Sequence, residues 1–293
     1  MRVMVILNPK AGAGKAGAQE RLVANTLRSL GVDFDMQRTG GPGDAMGMAR
    51  AAADAGYDVV AAVGGDGTVN EVVNGIAHTG AALATIPCGT GNDFCRSVGI
   101  PIGDTEAACA AIARGRIRDV DLCRVNDRYF ISCFGTGFDA AVTRLTNARS
   151  KWLRGKWNYI LSVMQVILTY RAVPVTITMD GKVLDRTPLL CACMNARTYG
   201  GGMLITPDAK LDDGLFDVCL VDNISMFRFL QCFGKVMDGS HVHLKEVEMY
   251  KASHIVFECS SPQAWHVEGE AFTSDRMELT IEPRAVKVIT GGE

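Results

Sequence analysis

The sequence predicts an α/β unit with a parallel sheet, followed by a mainly antiparallel unit arranged as a β-sandwich. Up to about residue 125, short apolar runs alternate with helical patterns, which is typical of parallel strands covered by helices. Beyond that point, short β-rich segments separated by turn residues predominate. The predicted units are therefore residues 1–125 and 126–293, and the last strand is allowed to return to the first unit.

The elements of the first unit follow from apolar spacing. Strands are predicted at 3–7, 32–37, 59–63 and 83–86, and helices at 14–30, 44–55, 69–77 and 105–113. The run 59–63 is continuously apolar, as expected of a strand buried on both faces. Leu22, Val23 and Leu27 fall on one helical face, and Gly31 ends that helix.

The second unit contains two predicted helices, at 139–147 and 157–170, among short strands. The strands are predicted at 173–179, 189–195, 216–221, 254–258, 277–282 and 286–290. Asp180-Gly181 between two alternating runs predicts a tight hairpin. A further helix at 226–235 carries Met, Phe and Leu at core spacing and is interpreted as packing.

Composition excludes several classes of protein. The chain has 293 residues, 48% hydrophobic and 21% charged, which excludes a disordered chain. Lys and Arg number 30 against 32 Asp and Glu, so no nucleic-acid partner is predicted. Ten cysteines without a CxxC pair are interpreted as reduced thiols in the cytoplasm. No signal peptide is predicted, and the apolar stretch at 157–168 is too short to span a bilayer.

A first glycine-rich loop runs from Asn8 to Lys15, between a predicted strand and a helix. Backbone amides and a helix N-terminus at such a place can bind an anion. The loop is not a Walker A motif, because Ala16 follows the Gly-Lys pair where Ser or Thr is required. A tight turn before a helix is the alternative interpretation.

A second loop, 64–71, follows the apolar strand 59–63. Its three glycines allow a ligand to approach the backbone closely. Thr68 and Glu71 predict a capping box at the start of the next helix. Asp66 repels phosphate unless a cation lies between them, so this carboxylate indicates a metal-bridged nucleotide.

A third loop, 86–94, follows the next apolar strand. Thr90 and Asn92 offer hydrogen bonds to phosphate or base, and Asp93 adds a second carboxylate. Two such loops from neighbouring parallel strands meet on one rim of the sheet. A nucleotide with magnesium fits that rim.

These segments resemble the diacylglycerol kinase catalytic domain of the bacterial soluble lipid kinases, which are related to sphingosine kinases. The resemblance covers nearly the whole chain in order. Its segments are Asn8-Pro9, 64–68, 87–94 with Arg96, 119–121, 135–139, 207–214 and 268–270. Gly-Gly-Asp-Gly-Thr alone is less specific, because NAD kinases resemble it there.

The resemblance implies an ATP- and magnesium-dependent lipid kinase, with the nucleotide on the first unit and a lipid substrate on the second. Diacylglycerol is the expected acceptor, and phosphatidic acid the product. The nucleotide-binding residues it implies are Asn8, Thr39, Gly64, Gly65, Gly67, Thr68, Thr90 and Asn92. Asp66, Asp93 and Asp121 would organise the catalytic magnesium, partly through water.

A second magnesium site is implied within the segment 207–214 and just after it. Asp213 would bind the metal with its side chain, and Lys210 and Leu215 with their backbone carbonyls. Such a site is interpreted as one that stabilises the structure or tunes the activity, not as the catalytic site. By composition alone, Asp212-Asp213-Gly214 is a turn.

The general base is the point at which this sequence departs from the family. The family has Asp in an Asp-Gly-Glu turn, and here Glu268 precedes Gly269 and Glu270. Asp and Glu have similar ordinary pKa values, so Glu268 can accept the hydroxyl proton. Because Glu is one methylene longer than Asp, three alternatives to a fully active base remain. The substrate could bind in a shifted position, the enzyme could be slow, or the chain could bind nucleotide with weak turnover. Glu270 is expected to support the magnesium environment. Composition alone indicates a hairpin turn with exposed charges.

Access to a lipid is predicted from the charge pattern. Residues 140–179 contain no Asp or Glu but six Arg or Lys, together with Trp152 and Trp157. Basic residues with Trp favour an anionic bilayer surface, so residues 144–171 are predicted to bind one transiently. A buried helix with a solvated basic loop is the alternative. The expected location is the cytoplasm, peripheral to the inner face of the membrane.

Other functions remain open at this point. The chain could phosphorylate another acceptor, such as a sphingoid base, a polyprenol, another glycerolipid or NAD. Segments 87–94 and 207–214 favour a lipid over NAD. A nucleotide- or lipid-binding regulator with weak turnover is the non-enzymatic alternative. A homodimer is expected by resemblance only.

Overall fold

The computed structural model describes residues 1–148 and 156–292. It confirms the predicted fold class: an N-terminal α/β unit with parallel strands precedes a mainly antiparallel β unit. Among the residues predicted to bind a membrane, Arg149, Lys151, Trp152 and Arg154 lie outside the described residues. The same is true of the side chains of Lys156 and Trp157.

Most of the helices lie in the first unit. The described part of the chain contains α1 (Lys15–Ser29), α2 (Asp44–Asp54), α3 (Asp66–Ile76), α4 (Asp93–Ser97), α5 (Thr105–Arg114), α6 (Phe138–Ala148), α7 (Lys156–Thr169) and α8 (Met226–Phe233). Short 3-10 helices add Ala11–Gly14, Gly234–Val236 and Ser240–His243. No helix of the described residues is both long and apolar enough to cross a membrane.

The strands of the two units join into one hydrogen-bonded network. They are β1 (Arg2–Leu7), β2 (Asp33–Arg38), β3 (Val59–Gly64), β4 (Ala82–Pro87), β5 (Ile117–Val125), β6 (Arg128–Phe130), β7 (Cys133–Gly137), β8 (Val175–Met179), β9 (Lys182–Arg186), β10 (Leu190–Met194), β11 (Thr198–Tyr199), β12 (Met203–Leu204), β13 (Phe216–Val221), β14 (Val247–Ala252), β15 (His254–Val267) and β16 (Glu270–Ile289). Among the strands of the described residues, only β11 and β12 pair apart from the rest.

The first unit places its loops on one rim. Strands β2, β1, β3 and β4 pair in parallel in that order, so the carboxyl ends of β1, β3 and β4 lie side by side. Strands β3 and β4 are buried over their whole length, as their continuous apolar runs require. Each of these strands is followed by one of the glycine-rich loops, which therefore meet at this rim.

The second unit is built around two long strands. β15 pairs with β16 along one edge, and its other edge is shared by β7 near Trp265 and β8 near Phe257. β7, β10, β13 and β14 continue the sheet in antiparallel order. The inward side chains, among them Phe134, Phe257 and Trp265, form a separate apolar core. This sharing of edges gives the unit its sandwich character.

Strand β16 connects the two units, because it pairs with strands of both. Val288 of β16 pairs in parallel with Leu83 of β4, next to its antiparallel pairing with Arg118 of β5. The register of β16 against β5 shifts between Glu282 and Val286. One long strand thus belongs to both sheets.

The structure corrects several local predictions. α3 begins at Asp66 with Gly65 as its N-cap, so the capping box of Thr68 and Glu71 is wrong. Glu71 instead accepts hydrogen bonds from the amides of Gly43 and Ala45, at 2.9 and 3.0 Å. The sequence analysis also missed β5 to β7. The residues of β5 and β7 do not alternate cleanly, because each of these two strands is buried on both faces over part of its length, and β6 has only three residues.

Two further predictions have a clear outcome. The Asp180-Gly181 hairpin is confirmed, since Met179 pairs with Lys182 across a two-residue turn with positive φ at both central positions. The interpretation of α8 as packing is wrong for half of the helix. Phe229 packs inward, but Phe227 is 73% exposed.

Candidate active site

Five of the residues predicted to bind a nucleotide line one cleft at the rim of the first sheet. They are Asn8, Thr39, Gly65, Gly67 and Thr68. The cleft has a volume of about 340 Å³ and also includes the 40–42 loop. The N-terminus of α3 opens into it, so free amides and the helix dipole favour an anion there.

The glycines are needed because the loops touch. A Cβ on Gly12 would lie 2.0 Å from the carbonyl oxygen of Cys88. A Cβ on Gly89 would lie 2.4 Å from the Cα of Gly65. Neither position tolerates a side chain without moving backbone, so glycine lets the three loops close around one ligand.

Hydrogen bonds fix the cleft before any ligand arrives. The Asn8 side-chain Nδ2 donates to Thr68 Oγ1 at 3.1 Å, and Asn8 Oδ1 accepts from the backbone amide of Lys10 at 3.1 Å. Three predicted ligand residues do not line the cleft. Gly64 lies beneath Thr68, Thr90 is exposed, and Asn92 is buried with its side chain bonded to the backbone of Gly89.

Two predicted metal-organising carboxylates converge at the third loop. Asp66 accepts hydrogen bonds from the amides of Asn92 at 2.7 Å and Asp93 at 2.8 Å. A Cβ on Gly91 would lie 2.8 Å from Asp66 Oδ2 and 3.1 Å from Asp93 Oδ2. Both carboxylates therefore border one point in space.

Asp93 is held from the second unit. Its two oxygens accept hydrogen bonds from the amides of Gly201 and Gly202, at 2.8 and 2.7 Å. Burial raises the pKa of Asp93, and the nearby Asp66 charge raises it further, while these two amides oppose the change. The run Gly200-Gly201-Gly202, with positive φ at each residue, is the sequence signal for this contact that was overlooked.

The carboxylates of Asp66 and Asp93 fit a magnesium ion of the kind that nucleotides bring. Magnesium is usually held by one or two carboxylates together with phosphate oxygens and water. The described residues contain no group of three or more His, Cys, Asp or Glu side chains that makes a ready cage. The donor set thus suits a metal delivered with phosphate better than a permanently bound one.

The side chain of the predicted base, Glu268, accepts hydrogen bonds from backbone amides. Its Oε1 accepts hydrogen bonds from Ser132 at 2.6 Å, Ile131 at 3.1 Å and Cys133 at 3.4 Å. Glu268 itself adopts a φ of 49°, in the left-handed region that a tight turn needs. The longer side chain is thereby accommodated at a defined position.

Burial raises the pKa of Glu268 to about 7, and the charge of Asp66 adds to the rise, while the three amides oppose it. A carboxyl group with a pKa near neutrality is a good general base, because it is both available and basic enough at cellular pH. The Asp66 charge acts on Glu268 across the site, which places the base and the metal-organising group in one electrostatic neighbourhood.

Glu270 lies at the edge of a second cleft, of about 310 Å³, next to the first. This cleft also includes Glu71, Arg128 and Phe272. The Arg128 guanidinium lies 4.2 Å from the centre of the Phe272 ring. Desolvation raises the pKa of Glu270, and the neighbouring Glu71 charge also raises it. β16 thus brings a carboxylate and an aromatic ring to the first unit.

Asp121 contacts the turn that carries the second predicted metal site, and its predicted share in the catalytic magnesium site stays a prediction. Its carboxylate is buried and accepts hydrogen bonds from the amides of Gly214 at 2.7 Å and Arg284 at 2.8 Å. Burial raises its pKa, and the charges of Asp213 and Asp212 raise it too. The structure therefore uses Asp121 to hold the 212–214 turn against β16.

The predicted second magnesium site already contains a cation of the chain. Lys251 Nζ lies 3.0 Å from Asp213 Oδ2 and 3.1 Å from Asp217 Oδ2, and the Leu215 amide donates to Asp213 Oδ1. The Lys251 ammonium supplies the positive charge that these carboxylates require. A metal held by Asp213 and the carbonyls of Lys210 and Leu215 stays a prediction.

An apolar cavity of about 90 Å³ lies in the second unit, unpredicted by the sequence analysis. Its walls include Phe138, Val142 and Phe229, and its polar lining residues include Asp139, Tyr199, His241 and Glu246. The Asp139 side chain is 10% exposed, and its Oδ2 pairs with His266 Nε2 at 3.0 Å and accepts from the Tyr199 hydroxyl at 3.2 Å. His266 lies at the end of β15, two residues before Glu268 in the turn that follows.

Known proteins resemble this chain over nearly its whole length. Residues 2–125 match the diacylglycerol kinase catalytic domain, and residues 132–290 match the YegS C-terminal NAD kinase beta sandwich-like domain. A diacylglycerol kinase of Mycobacterium tuberculosis is 31% identical, covering 98% of this chain and 94% of the relative. One of Bacillus subtilis is 30% identical, covering 92% and 89%. A solved structure from Bacillus anthracis, assigned to the diacylglycerol kinases, aligns with a TM-score of 0.81 at 27% identity, covering 99% and 96%.

Proposed function

The chain belongs to the diacylglycerol kinase family of lipid kinases, and from that premise we propose that it transfers the γ-phosphoryl group of ATP to the hydroxyl of diacylglycerol. The product is phosphatidic acid and ADP is released. The nucleotide lies in the cleft of the first unit, with its phosphates on Asn8, Gly65, Gly67 and Thr68. Thr39, which lines the same cleft, also contacts the nucleotide.

Glu268 is the general base of this reaction. As the acceptor oxygen forms its bond to the γ-phosphorus, the hydroxyl proton passes to the Glu268 carboxylate and the bond to the ADP oxygen breaks. The amides of Ile131, Ser132 and Cys133 keep the carboxylate in place during the transfer. The pKa of about 7 is the single observation that supports this role most strongly.

Asp66 and Asp93 are the residues that hold the catalytic magnesium, partly through water. When bound, the ion neutralises charge on the phosphates and orients the γ-phosphoryl group. The fixed position of Asp93 against Gly201 and Gly202 ties this function to the second unit. Asp121 contributes indirectly, by holding the 212–214 turn. Glu270 supports the electrostatic surroundings of the phosphates.

The lipid approaches from the second unit. Residues 144–171 contain no acidic residue and bind an anionic membrane surface reversibly. Their attraction to such a surface decreases with salt, because exposed charges are screened. Loss of binding to anionic vesicles in raised salt supports this part. Binding that is unaffected by salt contradicts it.

The proposed activity is tested by ATP consumption with and without diacylglycerol in mixed micelles. We expect diacylglycerol-dependent turnover, with labelled phosphate recovered in phosphatidic acid. A panel of sphingoid base, polyprenol and other glycerolipids identifies the acceptor if diacylglycerol fails. Nucleotide binding without turnover on any acceptor would support the regulatory alternative.

The base is tested by Glu268→Gln, which keeps an oxygen to accept the three amides but takes up no proton. We expect turnover to fall by about 10²- to 10⁴-fold while ATP still binds. Glu258→Gln is the matched control, because Glu258 lies on β15, the strand that leads to the turn with Glu268, and is exposed. Full activity of the Glu268 variant would remove this residue from the role.

A further inference from the structure

Helix α8 has two apolar faces that meet different surroundings. On the inner face, the Phe229 ring lies 5.2 Å from the Phe138 ring, and Cys232 is buried. On the outer face, Phe227 is 73% exposed and Leu230 is 57% exposed. A helix at the surface of a protein normally carries polar residues on its outer face, so this one is built to be covered.

A second helix shares this property at the same place. α7 exposes Leu161, Met164 and Leu168, which recur at helical spacing. Leu168 and Phe227 are the two most exposed of the large apolar side chains in the described chain. Both helices belong to the cluster around Phe138, since Tyr170, just after α7, also contacts that ring. The exposed apolar side chains of α7 and α8 therefore belong to two helices that pack on the same apolar cluster around Phe138.

The inner face of α8 is a wall of the apolar cavity. Phe229, Cys232 and Phe233 line it from this helix. The cavity of about 90 Å³ is smaller than a typical ligand pocket of ~300 Å³ or more, so an acyl chain enters only when a wall moves outward. α8 is tethered there by Phe229 and by one ion pair, Arg228 to Glu246 at 2.8 Å.

We propose that α8 inserts Phe227 and Leu230 into the interfacial layer of a lipid bilayer, and that it forms the wall through which an acyl chain reaches the cavity. The occupant is a bilayer because the same helix separates the outer apolar face from an apolar cavity, in a chain that belongs to a lipid kinase family. In the sequence, the segment 140–179 that includes α7 contains Arg and Lys but no Asp or Glu, and this charge complements an anionic surface. The inference rests on the proposed use of a membrane lipid as acceptor.

The test compares the vesicle binding of a double variant on the outer face of α8 with that of a control variant on another helix. Phe227→Ser with Leu230→Ser is expected to weaken sedimentation with phosphatidylcholine vesicles containing diacylglycerol by about tenfold or more, at low and high salt alike. Leu22→Ser is the matched control, since Leu22 is 37% exposed on α1. The control should sediment as the wild-type protein does.

A second readout separates this inference from the proposed function. Turnover on a short-chain diacylglycerol dispersed in solution should be unchanged in the double variant, while turnover on vesicles falls with binding. Unchanged vesicle binding would overturn the proposal. So would a change of oligomeric state by light scattering with vesicle binding intact, because the face would then belong to a second copy. Absence of turnover in the wild-type protein on every acceptor contradicts the proposed function instead.

Discussion

The side of the molecule that we propose binds the nucleotide and the side that we propose meets the lipid, called below the nucleotide side and the lipid side, are built in opposite ways. On the nucleotide side, glycine loops and backbone amides hold Asp66, Asp93 and Glu268 through hydrogen bonds of fixed length. On the lipid side, α7 and α8 rest on an apolar cluster and expose apolar side chains outward. Phosphoryl transfer requires reacting groups at defined distances, whereas a lipid chain requires only an apolar surface that can yield.

The strongest test of the rigid side is Asp66→Ala. This change removes one of the two carboxylates that border the metal position and frees the amides of Asn92 and Asp93. We expect turnover to fall by about 10³-fold and the magnesium dependence to weaken. Steady-state rates over a magnesium titration measure both. Asp54→Ala, at the exposed end of α2, is the control. Near-normal magnesium-dependent kinetics would contradict the site.

Glu268→Asp restores the family residue and tests how far position matters on this side. The shorter side chain cannot reach the amides of Ser132 and Cys133 from the same backbone. Misplacement of a reacting group by ~1 Å can cost ~100-fold, so we expect a loss of about that size in kcat with nucleotide affinity unchanged. Equal or faster turnover would mean that the backbone amides do not position the base.

The pH dependence of activity tests the charge state of the base. Because the pKa of Glu268 is about 7, kcat/KM should rise about tenfold per pH unit below that value and level off above it. The Glu268→Gln variant should lose this step in its residual activity. A profile that levels off near the ordinary glutamate pKa of about 4.5 would contradict the assignment.

The same pKa has the opposite consequence for stability. The folded-state pKa lies above the ordinary value, so the native protein binds this proton more tightly than the unfolded chain. The contribution to stability is fully present below pH ~4.5 and is lost as the pH rises through about 7. We therefore expect Glu268→Gln to melt a few degrees higher than the wild-type protein at pH 8, and this difference to shrink at pH 5. Equal melting at both values would contradict the raised pKa.

The smallest effects separate the two faces of α8. Phe229→Ala should lower the free energy of unfolding by about 2 kcal/mol, because its ring packs on Phe138 and Phe233. Phe227→Ala should change it by less than about 0.5 kcal/mol, since that ring packs on little. Denaturant unfolding of both variants measures the difference. Equal losses would show that the outer face is already covered by protein.

The same contrast explains what the sequence reveals. The nucleotide side can be predicted because Gly12, Gly65 and Asp66 stand in short loops directly after buried strands, where each has a local physical reason. The amides of Gly201 and Gly202 that hold Asp93 come from 108 and 109 residues away, and no local pattern connects them. In the sequence, the only sign of these distant hydrogen bonds is the run of three glycines at 200–202.

The lipid side is less predictable for a different reason. Phe227 and Phe229 are the same residue type two positions apart, and their apolar spacing is that of a core helix. Apolar periodicity predicts which side chains are buried away from water, but it does not predict whether protein or lipid covers them. Asp121 illustrates the same limit among charges: its place in the sequence suggests the metal site, and its contacts are with Gly214 and Arg284.

The pairing of β16 with β4 sets an order for biosynthesis. β4 is buried over all six residues, and one of its edges receives Val288 only after the segment that follows residue 270 has left the ribosome. Until then the nascent first unit presents an apolar, unpaired strand edge, which is the surface that chaperones bind and that aggregates recruit. The first sheet is thus completed by β16, a strand of the second unit, and not by the residues that directly follow β4.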